Sequence, residues 1–190
     1  RLKSIFAAVI LGGLTACTAS DIVISGLGPS GLPYDPSIVR YVVGQGDFPL
    51  ELHGNPSSLD DDAFATLVES RLRIEPTFGK TTFRRDPQTK NRHPFRLVLV
   101  FNADNPRIDA RHVCEGEDLD NAGGPNRTLF VRGVFCDGRD VLSEDSALTN
   151  APEGFTDERL QRLLDRLLEE LLPGEGRRDI NVSCPTANCR

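Results

Sequence analysis

The side chains best suited to chemistry are few and scattered. The chain of 190 residues has three histidines, His53, His93 and His112, and five cysteines. His112 stands just before Cys114, with Arg111 beside it. A cysteine nucleophile there would need Cys114 reduced and held as the thiolate. A compartment that oxidises thiols places it in a disulfide instead. Asp118 and Asp120 follow closely, and with His112 they are the groups that general acid–base catalysis would draw on. The histidines are too widely separated for the H-x-x-x-H spacing of a helical metal site. No Gly-x-Ser-x-Gly turn supports a serine nucleophile. The sequence therefore assigns no catalytic residue and no metal.

Two segments resemble known binding loops and depart from them where it matters. Gly26-Leu27-Gly28-Pro29-Ser30-Gly31 follows Asp21-Ile22-Val23-Ile24-Ser25 and resembles the dinucleotide fingerprint of flavin-binding Rossmann proteins. That motif works because a helix N-terminus follows and meets the pyrophosphate. Here Leu32-Pro33-Tyr34-Asp35-Pro36 follows, and its two prolines oppose a helix. Asp118-Leu119-Asp120-Asn121-Ala122-Gly123 begins like the calcium loop of EF-hand proteins. Ala122 sits where a ligand belongs, and Leu129 where the bidentate Glu belongs. No cofactor is expected.

Charge is distributed unevenly. Lys and Arg total 22 and Asp and Glu 28, a net charge of −6. Without residues 1–16, which hold Arg1 and Lys3 and no acid, the balance is 20 − 28 = −8. Nucleic acid is excluded as a partner on that balance, because its binders carry a basic footprint. Against this acidic background Lys80, Arg84, Arg85, Lys90 and Arg92 cluster, with Arg96 beyond them and only Asp86 opposing. This run is the candidate binding surface, suited to an acidic partner or an anionic envelope surface.

The start of the chain carries an address. Arg1 and Lys3 precede an apolar run over residues 5–14, about ten residues where a spanning helix needs roughly twenty. The run ends in Leu14-Thr15-Ala16-Cys17, which resembles the lipobox of bacterial lipoproteins. The resemblance implies lipid on Cys17, removal of residues 1–16, and attachment to the envelope membrane through the acyl chains. Thr18 in place of Asp favours the outer membrane over the inner. The expected partners are the membrane and an envelope protein. In that oxidising compartment Cys114, Cys136, Cys184 and Cys189 form two bridges. Three pairings exist, and Cys114–Cys136 with Cys184–Cys189 is expected because each closes a local loop.

Elements follow from periodicity. Residues 17–37 read as the lipidated cysteine and a Gly- and Pro-rich tether, and 38–190 as one domain with a disulfide-stapled tail. Ile38-Val39-Arg40-Tyr41-Val42-Val43 is β-branched and aromatic, a strand signal. Residues 48–52 alternate as a second strand, with Pro49 at its start or on an edge. Phe64, Leu67, Val68 and Leu72 form one face of a helix opened by three aspartates, Asp60, Asp61 and Asp62. Residues 95–101 read as the central strand, 128–136 and 139–143 as a hairpin, and Leu160 to Leu172 as a leucine-striped helix packed on the sheet. The expected fold class is α+β: a small antiparallel sheet with two helices on one face, in the order β-β-α-β-β-β-α. Two long polar segments and no chemical constellation point to a non-enzymatic binding or assembly module. The alternative is a periplasmic enzyme acting on envelope material.

Overall fold

The computed structural model describes residues 22–25, 32–103, 108–117, 119, 128–150 and 157–175. Strand β1 (Ile22–Ile24) is followed by helix α1 (Pro36–Gln45), β2 (Phe48–His53), α2 (Asp61–Arg71), a 3-10 turn (Pro76–Phe78), β3 (Phe83–Arg84) and β4 (Phe95–Phe101). Helix α3 (Ala110–Glu115), β5 (Thr128–Asp137), β6 (Asp140–Asn150) and α4 (Asp157–Leu171) complete the chain. Six strands form one sheet in the order β1-β6-β5-β4-β2-β3.

The α+β class holds, and its finer description changes. The sheet is mixed: β2 runs parallel to both β4 and β3, while β4, β5, β6 and β1 pair antiparallel. The parallel pair arises because α2 and a long connection separate β2 from β4, which is the length a crossover needs. Residues 38–43 are helix, not strand. The Asp35 side chain accepts from the Ser37 N–H at 2.8 Å, and Pro36 supplies the fixed φ of the first turn. Val39, Val42 and Val43 then fall at helical spacing and are all buried. Their β-branching costs only tenths of a kcal/mol per residue, about the size that a cap and burial override. Pro49 lies at a strand start, although β2 is flanked on both sides. The sheet also takes in residues assigned to the tether: Ile22–Ile24 pairs with β6, and buried Tyr34 donates its hydroxyl to the Pro173 carbonyl at 2.8 Å.

Alternation along β4 divides the interior into two layers. Leu97, Leu99 and Phe101 face the larger core, which α1, α2 and α4 cover. Val98 and Val100 face a smaller core formed with Val113 and Cys114 of α3 and Val134 and Cys136 of β5. So four helices are present among the described residues, three on one face and one on the other. Helix α3 lies inside residues 103–127, one of the two long polar segments of the sequence. Cys114 and Cys136 are joined by a disulfide that fixes α3 to β5. Cys17, Cys184 and Cys189 lie outside the described residues.

The six leucines of α4, Leu160, Leu163, Leu164, Leu167, Leu168 and Leu171, and Leu172 just beyond it are all buried. Each contributes about 1.5–3 kcal/mol on full burial. The stripe is therefore core rather than an exposed dimer face. Close seating depends on Gly133 in β5, where an added Cβ would lie 2.9 Å from Leu171 Cδ2 and 3.3 Å from Leu167 Cδ2. Ser143 locks the end of the helix by donating to the Leu171 carbonyl at 2.7 Å. Replacing Gly133 with Val should cost about 1–3 kcal/mol through overpacking, measured by urea unfolding. An unchanged midpoint would mean that α4 does not bear on the sheet at this residue.

Candidate functional site

The basic segment serves largely to hold the fold. Glu69 of α2, whose side chain is 11% exposed, accepts from the Arg85 backbone N–H at 2.9 Å and pairs with Arg84 at 3.2 Å. Arg85 reaches Glu69 again through Nε and Asp62 through its terminal nitrogen. Lys90 donates to the Gly44 carbonyl at 2.9 Å and its backbone N–H to the Gln45 carbonyl at 2.8 Å, satisfying the C-terminal end of α1. Arg96 is bound to Glu51 at 2.9 Å and to the Gly138 and Cys114 carbonyls. Lys80 and Arg92 are exposed and without a polar partner among the described residues. The cavity of about 640 Å³ beside Arg84 and Arg85 is also lined by Asp47, Glu69 and Asp86, so acids balance its cations. Within it the Thr82 hydroxyl and the Gln88 N–H hold the Asp47 carboxyl below its ordinary value.

A second cleft, about 720 Å³, opens where the chain enters α1, beside the start of α3 and the β5–β6 hairpin. Leu32, Pro33, Ile38, Val141 and Leu142 give it apolar wall. Asp109, Asp137, Asp140 and Glu144 line it too, with Arg111 the one cation among the described residues that line it. Two of the acids already work: Asp109 accepts from the Arg111 N–H at the start of α3, and Glu144 pairs with Arg132. Asp137 and Asp140 have no such bond among the described residues and stand directly opposite each other in the ladder. Like charges in that position oppose pairing.

Beneath α3 lies a polar network that strand alternation could have revealed. Glu51 and His53 are two apart on β2 and so share a face. His53 Nε2 lies 2.7 Å from Glu51 Oε1, and Arg96 holds the other carboxylate oxygen. The His53 bond, then Arg96, keep the Glu51 carboxyl below its usual range against the cost of burial. No nucleophile meets this pair among the described residues. His93 packs instead in an aromatic group with Tyr41 and Phe95, and burial lowers its pKa. His112 is exposed on α3, within reach of Glu115 and Glu117. Asp118 and Asp120 lie outside the described residues, as does Gly26-Leu27-Gly28-Pro29-Ser30-Gly31. A helix does follow that motif, but only at Pro36, and β1 is an antiparallel edge strand rather than part of a βαβ unit. Pro36 starts a helix because its missing N–H falls where no intrahelical bond is made.

One buried acid stands apart. Asp145, 5% exposed on β6, pairs with Gly133 in the register and thus faces α4. Burial raises its pKa to about 6; Glu170 and Glu144 add to the rise, and the Ser146 N–H and Arg132 oppose it. Comparison with protein-family models, curated proteins and solved structures finds no match.

The native state thus binds the Asp145 proton more tightly than the unfolded chain does. This contribution to stability is fully present below the ordinary carboxylate pKa and is lost as pH rises to about 6. Asp145→Asn keeps an acceptor for Ser146 and removes the charge. It should stabilise the protein by about 1–3 kcal/mol above pH 7 and by almost nothing near pH 4, read from urea melts across pH. An advantage independent of pH would remove the charge from the explanation.

Proposed function

We propose that this chain is an envelope-anchored lipoprotein, held by lipid on Cys17 and facing the periplasm, most naturally from the outer membrane. Its folded part is a non-enzymatic binding module. The cleft beside the β5–β6 hairpin takes an extended partner segment that carries basic and apolar side chains. The observation that carries this reading is the pairing of Asp137 with Asp140 on a cleft that also has apolar walls. A cationic partner relieves that repulsion, and the apolar wall supplies the contact area. Among the described residues no helix is long and apolar enough to cross a membrane. Lys80 and Arg92 offer a second, opposite-signed contact.

The test is photo-crosslinking in cells with a reactive side chain placed at Val141 and, separately, at Lys80. A partner should be captured from Val141 and lost on Asp137→Lys with Asp140→Lys. Cys17→Ala should shift the protein from the membrane to the soluble fraction and abolish the crosslink. Capture from Lys80 alone, indifferent to the reversed acids, would transfer recognition to the basic segment. A Cys17→Ala protein that still fractionates with membrane would overturn the anchor.

A further inference from the structure

We infer that the C-terminal end of α3 is a binding site for a divalent transition-metal ion, with His112, Glu115 and Glu117 as ligands. One donor atom from each of these side chains lies within 4.8 Å of the other two. The convergence has a local cause. His112 and Glu115 are three apart on the helix and share a face. Gly116 then takes the left-handed conformation, φ 75° and ψ 23°, which costs a glycine little. That step turns the chain back, so the Glu117 N–H donates to the His112 carbonyl at 3.0 Å. Glu117 is thereby brought over the face that His112 and Glu115 present.

The base of the site is rigid and its electrostatics favour a cation. Val113 and Cys114, between the ligands, are buried against the sheet, and the Cys114–Cys136 bond fixes the helix to β5. The ligands therefore start from fixed backbone. Carbonyl groups at a helix end add negative potential, here partly offset by Arg96 on the Cys114 carbonyl. Glu115 is only partly exposed and pairs with Arg139 at 3.3 Å. Arg139 is 75% exposed and leaves for water readily when a doubly charged ion arrives. One imidazole with two carboxylates suits zinc, nickel, cobalt or copper, whereas calcium and magnesium prefer oxygen alone. Three protein ligands leave at least one position for water or a further donor.

This inference is independent of the cleft and is tested on the whole chain purified in detergent. Zn²⁺ titrated against a chromogenic chelator should occupy one site per chain, uncontested by Ca²⁺ or Mg²⁺. His112→Ala and Glu117→Gln are surface changes expected to leave the circular dichroism spectrum intact, and each should weaken binding by about tenfold or more. X-ray absorption should show a nitrogen and oxygen shell at about 2.0–2.1 Å. Absence of zinc uptake, affinity unmoved by either variant, or a sulfur shell reporting Cys184 and Cys189 would each overturn the assignment.

Discussion

The sheet and α4 meet through a single stripe of leucine, and the seating of that stripe governs what surrounds it. Seven side chains of one residue type offer many equivalent packings. Uniqueness has to come from the other surface. Here Gly133 provides a shallow place in β5, and Ser143 reaches the last turn of the helix. With α4 fixed over β5 and β6, the rest of that face is left to α1 and α2, whose apolar residues join the same core. Asp145 is caught under the helix as a consequence, a charge-bearing group in a layer whose other members are apolar or neutral, Ser143 and Thr149 among them.

The opposite face is built on a smaller scale. Its core is four valines with Ile108, Ala110 and Leu119 around a disulfide, and α3 packs on it. Both ends of that short helix reach solvent and are used. Its start contributes Asp109 and Arg111 to the acid-lined cleft, and its end gathers His112, Glu115 and Glu117. The disulfide holds both ends in place at once, because a six-residue helix with one covalent tie has little freedom to tilt.

Where sequence pattern carried an unambiguous period, it placed elements well. Phe64, Val68 and Leu72 mark α2, the unbroken apolar run from Leu97 to Phe101 marks β4, and the leucines mark α4. It failed where composition and local signals disagreed. Ile38 to Val43 looks like strand by residue type, yet Asp35 and Pro36 were the start signal of a helix in plain view. The parallel β2–β4 pairing depends on partners far apart in sequence, which period alone does not reveal. The cleft was illegible for the same reason: its acids come from the start of α3 and the hairpin, and its apolar wall from residues 32–33, α1 and the hairpin. The basic run was visible as charge, but Glu69, the half-buried acid that pairs Arg84 and Arg85, gave no sign of that role on a helix of ordinary composition.

The edge pairing of β1 with β6 bears on how the chain reaches this shape. Ile22 lies opposite Thr149, and Ile24 opposite Ala147. The first strand thus has no place to dock until the last has been made. Loop closure over so long a separation is among the slowest steps available to a small domain. A polypeptide emerging from its N-terminus passes nearly its whole length with those three β-branched residues unclaimed. The hairpin of β5 and β6 assembles from neighbours, and the first strand can close over it only afterwards, as a late clasp.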